Sequence, residues 1–213
     1  MTKTAIITGA NRGIGFGVAQ ALAEQGYQVF MLGRNQEQIS QAASQIPGAE
    51  AFVVDIGNTA SVKAVAAQIS QRIDHLDVLI NNAGVIIETE GFGQPINLDN
   101  VDPELVLETL NINTVGALRM TQAFMPLLAK APTPRIVNVS SGMGALTDMG
   151  SGYPAYRLSK TALNALTTFT AADVKNPNLK VNSVCPGWVR TDMGGQQAER
   201  SVDEAVPGIL WAA

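Results

Sequence analysis

The stretch Thr8-Gly9-Ala10-Asn11-Arg12-Gly13-Ile14-Gly15 closes a short apolar run, Ala5–Thr8, and opens a helical pattern, Ile14–Gln25. A glycine-rich turn between a strand and a helix lets backbone N–H groups approach a phosphate at the positive end of the helix dipole. A side chain at Gly9 or Gly15 would block that approach. The spacing is not G-x-G-x-x-G, because position 18 is Val18. Taken alone, the loop also fits a tight turn that binds nothing.

Working outward from this loop, short apolar runs alternate with helical patterns along the chain. Ala5–Thr8, Gln28–Leu32, Ala51–Val54, Asp77–Asn81, Arg135–Val139 and Lys180–Val184 read as buried parallel strands. Between and after them, Ile14–Gln25, Gln36–Gln45, Ser61–Ile73, Pro103–Leu128, Ala155–Val174 and Ser201–Trp211 read as helices. This rhythm predicts an α/β fold: a doubly wound parallel sheet with helices on both faces, in a single domain over residues 1–213. The punctuation agrees: Gly26 and Pro47-Gly48 follow the first two helices, and Asn58 or Thr59 is placed to cap the third. Pro126 predicts a kink or fray in the fourth helix. Gly91–Asn100 and Gly142–Gly152 are the longest irregular stretches. In such folds the loops at the carboxyl ends of the strands build the ligand site.

The chain has 213 residues, 46% of them hydrophobic and 15% charged, with a formal net charge of −4, which points away from nucleic acid or an anionic membrane as a partner. One cysteine, Cys185, and one histidine, His75, allow neither an intrachain disulfide nor a cysteine- or histidine-rich metal site, so no metal is expected. No apolar run approaches the ~20 residues of a membrane helix, and the first strand follows Met1-Thr2-Lys3-Thr4 directly; a cytoplasmic protein is the expectation.

Further motifs follow the glycine loop in order: Asn81-Asn82-Ala83-Gly84, Asn113-Thr114-Val115-Gly116, Val139-Ser140-Ser141, Tyr156-Arg157-Leu158-Ser159-Lys160, and Pro186-Gly187 with Thr191. With T-G-x-x-x-G-x-G at the start, the chain resembles the short-chain dehydrogenase/reductase family over nearly its whole length. That resemblance implies a Rossmann-type fold and an oxidoreductase that moves a hydride between a nicotinamide and a carbonyl or secondary alcohol. It assigns the catalytic roles to Asn113, Ser141, Tyr156 and Lys160. Tyr156 would be the general acid in reduction and the base in oxidation. Tyr156 and Lys160 are four apart and share a helix face, and a nearby ammonium is expected to acidify the phenol. Lys160 would also bond the nicotinamide ribose, Ser141 would polarise the substrate oxygen, and Asn113 would hold a water leading from Lys160 to solvent. Ser140 competes with Ser141 for the serine role; Ser141 aligns with the second serine of the family pair.

The second strand ends Met31-Leu32-Gly33-Arg34-Asn35. An acid there would bond the ribose 2′-hydroxyl of NAD and repel a 2′-phosphate. Gly33 stands in that place and Arg34 follows, while Arg12 resembles the basic residue of NADP-preferring relatives, so NADP(H) is expected. The remaining nucleotide contacts are assigned to Gly9, Asn11, Gly13, Ile14 and Gly15 on the phosphates; Asp55 and Ile56 at the adenine; Asn82, Ala83 and Gly84 behind a ribose; and Pro186, Gly187, Val189 and Thr191 near the carboxamide or phosphates. Asp55 reads equally as a turn or helix-cap residue, and Asn81 as a tie between central strands. Trp188 and Met193 either line the substrate pocket or cover apolar surface. His75 reads as a solvated loop residue and Cys185 as inert packing at a buried strand end near the nicotinamide.

Relatives usually carry a seventh strand after the last helix; none follows Ser201–Trp211 here, so six strands and an exposed edge are expected. The helices Pro103–Leu128 and Ala155–Val174 resemble the family's dimerisation helices, implying a homodimer or homotetramer. Two other functions fit the same motifs: a dinucleotide-binding regulator without turnover, and an NAD-linked alcohol dehydrogenase.

Overall fold

A computed structural model of the chain describes residues 2–90 and 94–213. Six parallel strands form one sheet: β1 (Thr4–Thr8), β2 (Gln28–Gly33), β3 (Glu50–Val53), β4 (Val78–Asn81), β7 (Arg135–Val139) and β8 (Lys180–Val184), in the order β3-β2-β1-β4-β7-β8. A short antiparallel pair, β5 (Thr89–Glu90) and β6 (Gln94–Pro95), stands apart from it. The helices are α1 (Gly13–Glu24), α2 (Gln36–Ala43), α3 (Thr59–Ser70), α4 (Pro103–Leu110), α5 (Gly116–Leu128), α6 (Pro154–Asp173) and α7 (Val202–Ala212).

Strand periodicity sorts the core. On β1, Ile7 faces one side of the sheet with Val18, Leu22, Ile39, Val206 and Ile209, while Ile6 faces the other with Phe30, Ile69, Leu79 and Phe124. Thus α1, α2 and α7 cover one face, and α3 and α5 the other. Each of these buried side chains contributes up to ~1.5–3 kcal/mol through its removal from water. The chain winds from β1 to β2 and β3 in one direction, then crosses to β4, β7 and β8 in the other. The strand order therefore reverses between β1 and β4, and a crevice opens at their carboxyl ends.

The expected strands and helices are present to within a few residues, and among the described residues β8 pairs with β7 alone. Asn58 is the cap of α3, its side chain accepting Ser61 N at 3.0 Å. The irregularity expected at Pro126 is elsewhere: α5 runs through that residue to Leu128, and the fourth helical pattern is interrupted instead by a π-turn at Asn111–Val115. Of the irregular stretch Gly91–Asn100, residues 91–93 lie outside the described residues, and Gln94–Pro95 forms β6. His75 is not a solvated loop residue. It is partly buried with Nε2 3.2 Å from Asp77 Oδ2, and Asp77 Oδ2 also accepts Thr4 N at 2.8 Å. The pairing closes the amino end of β1 against β4, far along the sheet from the crevice.

Candidate active site

A cleft of about 1550 Å3 lies at the strand carboxyl ends, wider than the ~300–1,000 Å3 of a site for one small ligand. Its floor is the glycine loop. Gly9 has φ 63°, a conformation glycine enters without cost. Gly15 is more constrained: a Cβ there would lie 2.2 Å from Gly9 O and 2.5 Å from Asn82 Nδ2. The same Asn82 amide donates to Thr8 O at 2.9 Å and Gly9 O at 3.1 Å, which ties the loop to the end of β4. The first turn of α1 has no side-chain cap and no acidic residue. Its orphan N–H groups and the positive end of the helix dipole are therefore free for an anion. This is the chemistry a dinucleotide pyrophosphate requires, and the lining fits it.

At the adenosine end, Gly33 is buried with Ile39 against it: a Cβ would meet Ile39 Cδ1 at 3.2 Å. A side chain at the tip of β2 would have to shift Ile39 by a few tenths of an ångström, and no acid stands there. Arg34, next in the chain, lines the cleft, is exposed, and has no hydrogen bond or ion pair to another described residue. Arg12 also lines the cleft, but its guanidinium already meets Asp192 Oδ2 at 2.7 Å. The two arginines are thus unequal, and Arg34 is the unpaired one. Asp55 acts as a turn residue, its Oδ1 accepting Gly57 N at 2.9 Å from an exposed position on the cleft wall. Ile56 divides its surface between the cleft and Gly116, where a Cβ would come within 2.8 Å of it.

The opposite end holds the reactive side chains. Tyr156 and Lys160 project from successive turns of α6, with Lys160 Nζ 5.6 Å from the Tyr156 ring centre. Ser141, just past the end of β7, stands beside Tyr156 and lowers the pKa of its hydroxyl, and it accepts Met143 N at 3.1 Å. Ser140 is buried, its hydroxyl aimed at Lys160 O across 3.5 Å. Of the two serines, Ser141 is the one brought to Tyr156. Lys160 Nζ donates to Val139 O at 2.8 Å.

The expected acidification of the phenol is not the direction found. Burial pushes Tyr156 up to about 12, opposed by the neighbouring Ser141 hydroxyl, and burial brings Lys160 down to about 8. Both groups sit where desolvation penalises their charged forms.

Asn113 lies behind the cleft wall. It is buried and does not line the cleft. The π-turn carries it inward, where Oδ1 accepts Val85 N at 2.8 Å, and Nδ2 donates to Val85 O at 2.9 Å and to Ser159 Oγ at 3.0 Å. It braces the wall behind Gly84, at whose position a Cβ would meet Asn113 Oδ1 at 3.2 Å and Lys160 Nζ at 3.4 Å. Asn81 ties β4 to β7, donating to Asn138 Oδ1 at 2.8 Å. Pro186, Gly187, Val189 and Thr191 line the cleft beyond β8, with Thr191 over the glycine loop: a Cβ on Gly13 would lie 3.1 Å from its methyl. Trp188 and Met193 line the cleft too. Cys185 is exposed on the cleft wall rather than buried, and its Sγ accepts Gly142 N at 3.0 Å.

One participant escaped the reading of the sequence. Glu88 is fully buried at the start of α6, where it accepts the N–H groups of Ala155 and Tyr156. No local signal announces it, because its partners lie 67 and 68 residues away.

A parallel sheet with an uncapped helix at a glycine loop, and a phenol, hydroxyl and amine at the far end of the same cleft, defines a dinucleotide-dependent oxidoreductase. Comparison with known proteins agrees. The short chain dehydrogenase family model matches residues 3–201. Oxidoreductase UcpA of Salmonella typhimurium is 34% identical, over 98% of this chain and 77% of its own. The (+)-neomenthol dehydrogenase of Arabidopsis thaliana is 30% identical, over 95% and 88%. Among solved structures, the NADPH-bound carbonyl reductase from chicken fatty liver superposes with a TM-score of 0.88 at 32% identity, covering 99% of this chain and 90% of that one. The chain belongs to the short-chain dehydrogenase/reductase family and is an oxidoreductase.

Proposed function

We propose that the protein reduces a carbonyl compound to the alcohol with NADPH, with Tyr156 as proton donor. The observation that carries this reading is the placement of Tyr156, Ser141 and Lys160 together on the wall of the cleft whose floor is the glycine loop. The glycine loop and the α1 N-terminus hold the pyrophosphate, and the unpaired Arg34, beside a strand tip that carries no acid, holds the 2′-phosphate. Related structures support that cofactor: the chicken carbonyl reductase binds NADPH, as does a short chain dehydrogenase of Escherichia coli CFT073. When bound, the reduced nicotinamide supplies the hydride.

The chain's own residues hold the substrate and move the proton. Ser141 donates to the carbonyl oxygen and Tyr156 transfers its proton to that oxygen as charge develops there, leaving a phenolate beside the Lys160 ammonium. A phenol pushed up to about 12 is fully protonated at neutral pH, the form that reduction needs. Lys160 braces the strand end through Val139 O and offsets the charge left on Tyr156. Asn113 supports the wall beneath both. Met143, Trp188 and Met193 on the same cleft suit a substrate with an apolar body.

The protein acts as one domain. Exposed Leu107, Leu158 and Phe169 on α4 and α6 support pairing of these helices in a homodimer or homotetramer, which sedimentation tests. Among the described residues no helix is long and apolar enough to cross a membrane, and the lone thiol fits a cytoplasmic setting. The decisive experiment pairs NADPH and NADH titrations with a panel of ketones and aldehydes. Tyr156→Phe is expected to lower kcat by roughly 100- to 10,000-fold with NADPH affinity unchanged. Wild-type turnover by that variant, or tighter binding of NADH, overturns the reading.

A further inference from the structure

Helix α6 begins without a cap of its own. Pro154 opens it, the preceding residue Tyr153 is held left-handed at φ 54° and ψ 49°, and no side chain of Tyr153 caps the turn. The cap comes from the strip that leaves β4. Glu88 lies four residues past Gly84 and accepts Ala155 N–H on Oε2 and Tyr156 N–H on Oε1. A fully buried carboxylate is costly unless such bonds compensate it. Burial raises its carboxyl above the usual range, while the two N–H bonds and the Arg157 guanidinium of α6 pull the other way.

The remaining bonds close a ring. From Glu88 the chain runs back to Val85, whose N–H and C=O are both clamped by Asn113. Asn113 donates to Ser159 Oγ, and Ser159 Oγ donates to Tyr156 O at 2.8 Å. The backbone N–H of Tyr156 is thus fixed by Glu88 and its C=O by Ser159. We propose that Glu88 is a positioning residue for Tyr156: by capping α6 with both oxygens it closes this ring and sets where the phenolic hydroxyl meets the substrate oxygen. The inference rests on the assignment of Tyr156 as proton donor. It explains why a carboxylate is used here. Two N–H groups need two acceptors, and a glutamine or a protonated glutamic acid offers one acceptor and one opposed donor.

The test measures kcat and KM against pH for the wild type, Glu88→Gln and Tyr156→Phe, with NADPH and a reducible ketone. The wild type is expected to lose kcat on the acid side as Glu88 takes up a proton, above the usual glutamate range. Glu88→Gln is expected to lack that limb and to run roughly 10- to 100-fold slower at neutral pH, because misplaced reacting groups cost rate rather than binding. KM for NADPH is expected to stay at the wild-type value. Amide hydrogen exchange on the wild type covers the case of a variant that does not fold: Ala155 and Tyr156 amides, corrected for intrinsic rate, are expected to lose protection across the same acid range. Full turnover and an unaltered pH profile in Glu88→Gln beside an inactive Tyr156→Phe overturn this inference alone. So do unprotected amides in the wild type. Turnover by Tyr156→Phe removes the assignment beneath it.

Discussion

Replacing Lys160 with methionine is expected to make the protein more heat-resistant at neutral pH while ending its turnover. Burial takes the Lys160 amine from 10.5 down to about 8. At ~1.4 kcal/mol per pK unit, the charged amine costs the folded chain about 3 kcal/mol. Methionine removes that cost but leaves Val139 O, which now accepts Nζ at 2.8 Å, without its donor, at ~1 kcal/mol. The net gain is about 2 kcal/mol, or a rise in Tm of roughly 4–8 °C for a domain of this size. The pH dependence has a definite sign. The folded pKa is the lower one, so the penalty is carried in full below about 8, and fades as pH rises from there to 10.5, where both states hold a neutral amine. Near pH 10 the residual penalty is ~1 kcal/mol, equal to the lost bond, and the two proteins should melt together. Calorimetric melting without nucleotide at both pH values makes the comparison. A Lys160→Met protein that melts below the wild type at neutral pH, or whose advantage is undiminished near pH 10, would refute the reasoning.

Two further changes probe the nucleotide half of the cleft. Gly15→Ala drives a methyl group into Gly9 O and Asn82 Nδ2; overpacking of ~3 kcal/mol corresponds to a fall in Tm of roughly 6–12 °C, together with weakened NADPH binding by fluorescence titration. An unchanged affinity there counts against the phosphate loop. Arg34→Ala removes a charge-assisted contact worth ~1.5–3 kcal/mol, so the NADPH Kd should rise about 10- to 100-fold while that of NADH stays put. Equal loss for both nucleotides argues that Arg34 does not read the 2′-phosphate.

The sheet was legible because buried strands such as Ile6–Ile7 and Leu79–Ile80 are short apolar runs set off by helical periodicity and glycine. The glycine loop was legible because Gly9 and Gly15 stand where backbone must come close to backbone or ligand. What stayed hidden depended on distant partners. Glu88 looks like any loop acid until α6 is folded against it. His75 looks solvated until Thr4 and Asp77 close around that corner. Cys185 follows β8, the last strand in the sheet order among the described residues, so its exposure follows from sheet order rather than local sequence. The direction of the Tyr156 shift was missed because spacing places an amine near the ring but says nothing of how dry the surroundings are.

The wide turn at Asn111–Val115 also has a lesson for anyone redesigning this scaffold. It houses one more residue than an ordinary helical turn, which puts α4 and α5 out of phase by about 100°. Trimming a single residue to straighten the segment would swing Asn113 a quarter of the way around the axis and undo its grip on Val85 and Ser159. Tidier geometry here would come at the expense of the wall that supports the chemistry.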